Sequence, residues 1–350
     1  MQNLLLTISI PTYNGGDNLI RAIKSCKYIN LSKNEFEILV VDNCSTDGSI
    51  EKVRSLMQDF PNIRLIINDR NYGRIGNWNR CLNLSRGKYL IFLFSNDEIY
   101  RNINIKHYIK LLEMYDDISL LMGNVLYDYN KTKKNIPNYE VNCIFNLNQY
   151  ITTTFIKNFQ FASLGILQQN IYKMETIRKY KLKFIEEAPR TTDRIFIYEV
   201  IKHSGKGRFL YADDIICVWH LSKNRFHNKV HLNVKKLDFK LIWENEYLAD
   251  KKILEGVNLD KRNILEILMA FYYYQKLISY IRTTQTPKTL LLDKFKEYLN
   301  NIINKNNIVI SNKRIFKYFI NKFLSVLVRK TLKINIEKNR IRRISLPLIQ

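Results

Sequence analysis

Paired thiols are missing from this chain of 350 residues. Its five cysteines (Cys26, Cys44, Cys81, Cys143 and Cys217) are odd in number and widely spaced, with no CxxC pair. That argues against a disulfide framework and a thiolate zinc site, and for a reducing compartment. No apolar run reaches the about 18 residues that a spanning helix needs. The opening stretch MQNLLLTISIPTYN has no basic n-region and no small-residue cleavage site, so no secretory leader is expected. No GxGxxG follows the first apolar run, and no GxxxxGK[ST] occurs, so the usual Gly-rich phosphate cradles are lacking. Disordered and collagen-like polymers are excluded by 46% hydrophobic and 25% charged residues. The length fits about two domains.

Acid is the scarcer charge. Lys and Arg number 56 against 32 Asp and Glu, a net +24. Residues 1–220 hold 29 basic and 22 acidic groups, a balance of +7, and residues 221–350 hold 27 and 10, a balance of +17. The partner of such a tail should be anionic. A division near residue 225 follows, with residues 1–225 as one domain and 226–350 as a basic helical region.

The first 125 residues alternate between two periods. Apolar runs at Leu5–Ile10, Phe36–Val41, Ile63–Ile67 and Tyr89–Phe94 predict strands. Helical spacing over Gly15–Ile29, Asp47–Phe60 and Gly76–Leu84 separates them. Nearly continuous apolar strands between amphipathic helices predict an α/β fold, a mostly parallel sheet covered on both faces. Residues 130–150 read as loop, Phe161–Leu167 as a strand, Thr192–His203 as a helix, and Arg208–Tyr211 and Ile215–Trp219 as short strands. Beyond that, 229–250, 261–282, 289–304 and 313–330 read as helices.

Polar groups gather where the strands end. Pro11-Thr12-Tyr13-Asn14 follows the first, Asp42 to Gly48 the second, and Ser95-Asn96-Asp97-Glu98 the fourth. In a parallel sheet these ends share one rim, where ligands sit. Oxygen ligands there suit Mg²⁺ or Mn²⁺. A cation beside a tyrosine-walled pocket suits a nucleotide diphosphate.

The ordered set Pro11-Thr12-Tyr13-Asn14, Val40 to Gly48, Asn71-Tyr72-Gly73 with Asn77, and Gly87-Lys88-Tyr89 leading to Phe94-Ser95-Asn96-Asp97 resembles the family 2 glycosyltransferases of GT-A fold. The likeness covers residues 4–100 and, more loosely, extends to about 222. It implies a Rossmann-like GT-A sheet, a nucleotide-sugar donor (a UDP-sugar before others), a divalent metal, and inversion by single displacement. It places Pro11, Thr12, Tyr13 and Asn14 around the nucleotide, with Asp42 at the imide edge of the base. Arg70, Gly73 and Asn77 fall on the donor side. Asn96-Asp97 stands where the family has paired aspartates, so the first acid is an amide here. Asn96 keeps a positioning role and Asp97 becomes the main metal ligand, with Glu98 as helper. Asp193 takes the place of the general base, with Glu186 and Glu187 as rivals, and His220 that of a late histidine near the metal. An ordinary N-cap at Asp193, a turn cap at Asp42 and a structural histidine at 220 are the bland alternatives.

Stand-alone members of this family with helical tails imply a surface-glycan or lipid-linked acceptor and no nucleic acid. In 313–343 the polar residues Arg314, Lys317, Asn321, Lys322, Ser325 and Arg329 recur at helical spacing opposite Ile, Phe, Leu and Val, and Arg340, Arg342 and Arg343 add charge. That pattern describes either an interfacial helix on an anionic membrane or a helix packed on the catalytic domain with a solvated basic face; the protein is expected to be cytoplasmic, and in the first case peripheral to the inner face of the plasma membrane. The rival readings are a nucleotidyltransferase, which should carry a Gly-rich basic loop, a nucleic-acid-binding protein, which should interleave aromatics with Lys and Arg, and an inactive transferase homologue.

Overall fold

The computed structural model describes residues 4–128, 132–134, 143–147, 150, 164, 166–220, 249 and 252–253. Apart from Ala249, the four predicted C-terminal helices lie outside these residues, as do the basic segment to 343 and most of the predicted strand at 161–167. Strands β1 (Leu6–Thr12), β2 (Phe36–Asp42), β3 (Ile63–Ile67) and β4 (Tyr89–Phe92) alternate with helices α1 (Gly16–Ser25), α2 (Ser49–Leu56) and α3 (Gly73–Leu84). There follow β5 (Glu98–Ile99), α4 (Ile105–Glu113), β6 (Leu120–Tyr127), β7 (Thr132–Lys134) and β8 (Cys143–Asn146). The described chain continues through β9 (Asn170–Lys173), α5 (Met174–Lys179), α6 (Thr192–Lys202) and β10 (Arg208–Trp219).

Among the described residues all strands join one sheet of order β3-β2-β1-β4-β9-β6-β10-β5, with β7 on β6 and β8 on β10. β1 pairs in parallel with β2 and β4, and β2 with β3. β9 runs antiparallel to both β4 and β6, and β6 is parallel to β10. The ends of β1, β2, β4, β6 and β10 therefore point the same way. Every residue of β1 and β2 is buried, as a strand covered on both faces requires. Ile38 and Val40 enter the core formed with α1, α2 and α4, and Leu39 and Val41 enter the one formed with α3, α5 and α6. The period-2 alternation of side chains thus splits one apolar run between two cores.

Several expectations shift. Residues 130–150, read as loop, contribute the short strands β7 and β8. They pair at the far side of the sheet, a long-range contact that their local sequence does not signal. Leu167 opens a short 3₁₀ turn (Leu167–Gln169), and the strand begins at Asn170. The two predicted strands around residues 208–219 are one strand, β10, whose register slips between Tyr211 and Ile215. Ala249 and Ile253 are buried against the sheet-bearing part of the chain, and Lys252 lies 3.9 Å from Glu199 on α6. Among the described residues no helix is long and apolar enough to cross a membrane.

One buried charge ties the sheet together. Glu37 on β2 accepts hydrogen bonds from Thr7 Oγ1 (2.7 Å), Arg64 Nε (2.8 Å) and Arg86 N (2.9 Å), joining β1, β3 and the turn before β4. In that turn Gly87 lies so close to β1 that a Cβ would come within 2.5 Å of Thr7 N. Replacing Glu37 with Ala leaves the partly buried Arg64 and two other donors without their acceptor. It should cost about 3 kcal/mol of stability, read as a lower midpoint of urea unfolding.

Candidate active site

The ends of β1, β4, β6 and β10 and the first turns of α3 and α6 surround one cleft of about 410 Å³. Pro11, Tyr13 and Asn14 line it from β1, and Phe94, Ser95 and Asn96 from the loop after β4. Arg74 and Trp78 come from α3, Arg190 from the loop before α6, Asp193 from its first turn, and Tyr127 and Trp219 from the last residues of β6 and β10. Tyr13 is 55% exposed, a ring open to a planar partner.

The cleft wall is held from behind by loop-to-loop bonds. Asn14 adopts φ +52, and its N–H donates to Ser45 Oγ (2.8 Å) while its Oδ1 accepts from Thr46 N (2.9 Å). Asp42 is 1% exposed, and its carboxylate accepts from Ser45 N and Ser45 Oγ. Asp42, Ser45 and Asn14 thus form a chain that fixes the end of β1. In this arrangement Asp42 is a turn cap and does not line the cleft. Thr12 is likewise buried.

A lattice of amides sets α3. Asn68 Nδ2 donates to Asn43 Oδ1 (3.0 Å) and Asn77 Oδ1 (2.9 Å), and Asn77 Nδ2 donates to Val41 O (3.0 Å). Asn43 Nδ2 donates to Asn71 Oδ1 (2.7 Å), which also accepts from Gly73 N (2.8 Å). Gly73 opens the helix at φ +70, a conformation that disfavours any side chain. The result aims Arg74 and Trp78 at the cleft. The Arg74 guanidinium lies 4.9 Å over the Trp78 ring, and its Nη2 donates to Pro189 O. Trp78 stacks on Phe94 at 5.0 Å. Of the predicted donor-side residues, Gly73 and Asn77 serve this lattice. Arg70 lies outside the cleft with its guanidinium 4.8 Å over the Tyr72 ring.

Asp193 sits in the first turn of α6, half-buried, with Oδ1 accepting from Arg194 N (2.9 Å). The N-cap position belongs to Thr191. Loss of solvent raises the Asp193 carboxyl above its ordinary range, against the pull of the Arg194 N–H and the Arg194 and Arg74 charges. Glu186 and Glu187 are exposed and off the cleft.

The expected metal site does not fit the residues as placed. Asp97 has no exposed surface, its Oδ2 accepts from Gln168 Nε2 (2.6 Å), and its Oδ1 accepts from His220 N (3.3 Å). The His220 ring spans Glu98 (2.7 Å) and Asp128 (2.9 Å). Asn96 lines the cleft as a neutral amide. Among the described residues no group of three or more His, Cys, Asp or Glu side chains could hold a metal ion. Asp97 and His220 meet through the His220 backbone N–H, and the His220 ring lies part-buried between Glu98 and Asp128.

Residues 7–179 match the profile of the glycosyl transferase family 2. Residues 7–179 are a family 2 glycosyltransferase domain. The transferase is 22% identical over 289 residues to the uncharacterized glycosyltransferase YibD of Escherichia coli K12, covering 79% of this chain and 76% of that one. It is 24% identical over 236 residues to the poly(ribitol-phosphate) beta-N-acetylglucosaminyltransferase TarP of Staphylococcus aureus N315, covering 66% of each. Its fold is that of S. aureus TarS 1-349 solved with UDP-GlcNAc, at a TM-score of 0.65, 16% identity, and 94% and 91% coverage. The GT-A expectation is borne out.

Sequence reasoning missed Arg74, Trp78, Phe94 and Arg190 of the transferase's cleft. The available signal was position, since Arg74 and Trp78 share a face of a helix opened by Gly73. Asn77→Ala in the transferase should cost about 2 kcal/mol by removing one acceptor of Asn68 Nδ2 and the amide donor to Val41 O in a buried network. Thermal unfolding checks it.

Proposed function

We propose that the transferase moves one sugar from a nucleotide-diphosphate sugar, with inversion, to a hydroxyl of a surface-glycan or lipid-linked acceptor. The observation that carries this reading is the shared cleft. Asp193 and the strand-end residues Pro11, Tyr13 and Asn14 line one cavity although about 180 residues of chain separate them. The nucleotide lies along the end of β1, with the Tyr13 ring against its planar base, and the sugar reaches toward Asn96 and Asp193. The acceptor oxygen bonds to the anomeric carbon as the bond to the diphosphate breaks. The hydroxyl proton passes to the Asp193 carboxylate, and the electron pair leaves on the diphosphate. A raised carboxyl is the better proton acceptor, provided it is ionised at working pH.

A UDP-sugar is the favoured donor, since the TarS structure holds UDP-GlcNAc. The printed activity of TarP, a poly(ribitol-phosphate) beta-N-acetylglucosaminyltransferase, supports a surface polymer as acceptor. The +17 balance of residues 221–350 suits an anionic polymer or membrane near that acceptor. Mg²⁺ or Mn²⁺ enters no step, because Asp97 and His220 are engaged elsewhere.

In a panel of UDP-, GDP- and dTDP-sugars, one nucleotide class should stabilise the fold by about 2.7 kcal/mol at a hundredfold excess over Kd, read as a raised melting temperature. No shift with any of them overturns the reading. Asp193→Asn should keep that shift and lose roughly 10²- to 10⁴-fold in turnover. In the wild type, protonation of Asp193 stops the base. Because its carboxyl is raised, kcat should fall toward acid with a midpoint above the ordinary aspartate value of 3.8.

A further inference from the structure

A departing nucleoside diphosphate concentrates negative charge in the cleft, and something must offset it. The charged side chains lining the cleft, among the described residues, are Arg74, Arg190 and Asp193, two guanidinium groups and one carboxylate. Asp97 faces inward to Gln168. Glu98 pairs with Arg21 (2.9 Å) and His220, and borders a separate shallow depression beside α1. The acid that could receive a cation in this cleft is Asp193, and the Arg74 charge acts on it and on Arg190. A divalent ion seated there is repelled by both guanidinium groups. A phosphate oxygen is attracted by both, and the planar guanidinium fork matches its geometry.

The two arginines are presented differently. Arg74 is tied to Pro189 O and laid over Trp78, at the start of a twelve-residue helix whose first turn holds no acid. Arg190 comes from the loop before α6, next to the residue that anchors Arg74. Pro189 O thus couples the α3 side of the cleft to the α6 side.

We propose that Arg74 and Arg190 form a guanidinium clamp on the donor's diphosphate, so that the cleft holds its donor without a divalent cation. This rests on the reading of a nucleotide-diphosphate sugar as donor. The clamp grips the diphosphate and the Tyr13 side of the cleft grips the nucleoside, so the two contributions separate on truncating the ligand.

The test is calorimetry on the full chain with UDP, UMP and uridine (or the matching GDP or dTDP series), in EDTA and then in excess Mn²⁺. The wild type should bind UDP in EDTA, more tightly than UMP. Arg190→Gln and Arg74→Gln should each weaken UDP by about 10- to 100-fold, the scale of charge-assisted hydrogen bonds, and leave uridine unchanged. Arg190→Lys should recover part of the loss. Melting curves report folding of each variant, and Arg190→Gln leaves the Pro189 contact in place should Arg74→Gln destabilise the chain. UDP binding that requires Mn²⁺ and ignores both Gln substitutions overturns the clamp while the transferase reading stands. Failure of every nucleotide to bind, with or without Mn²⁺, overturns both.

Discussion

Parallel pairing of β1 with β2 on one side and β4 on the other is the constraint from which the rest follows. Thr12 lies opposite Asp42 and Ser9 opposite Phe92, so three polar strand-end segments leave the sheet on one rim. A shift of one residue would exchange every side chain between the two cores. Ile38 and Val40 on one face and Leu39 and Val41 on the other hold the register against that slip. Glu37 adds a polar lock across three strands at the opposite end. The sheet can therefore end in polar loops at the cleft without losing its alignment.

Behind the cleft, neutral amides and short loop-to-loop bonds do the positioning. Asn43, Asn68, Asn71 and Asn77 satisfy one another and the backbone of β2 and α3, and Asp42 and Ser45 hold Asn14. Buried polar networks of this kind are stable only when each member finds a partner, and that mutual dependence makes the wall stiff. The polar and aromatic groups facing the cleft are aromatic rings, two guanidinium groups, four side-chain amides, a serine hydroxyl and one carboxylate. The proposed diphosphate clamp and the proposed proton acceptor, Asp193, both rest on that lining.

Much of the sheet-bearing fold could be read from the chain. The strands β1 to β4 and the intervening helices appear in the apolar runs, with ends displaced by a few residues. The segment from α4 to β9 was poorly legible, because β7 and β8 are short and take their conformation from partners far along the sequence. In the site, Asp193 was implied by the family resemblance and the Pro11 to Asn14 turn by its place at a strand end, and Pro11, Tyr13, Asn14 and Asp193 line the cleft. Asp42 and Asp97 were named for their residue type, but a carboxylate at a strand end can face ligand or loop. In both cases neighbouring donors, Ser45 and Gln168, took the oxygens.

The amino-acid sequence by itself determined the α/β alternation, the family and the strand ends at which a ligand would lie, because periodicity and short motifs are local properties. Only the tertiary structure decided which charged groups share the cleft. Arg74 and Arg190 lie 116 residues apart, and nothing near either one announces the other. Their meeting with Asp193 depends on packing α3 and α6 against the same face of the sheet, and the inward turn of Asp97 depends on Gln168 arriving from 71 residues away.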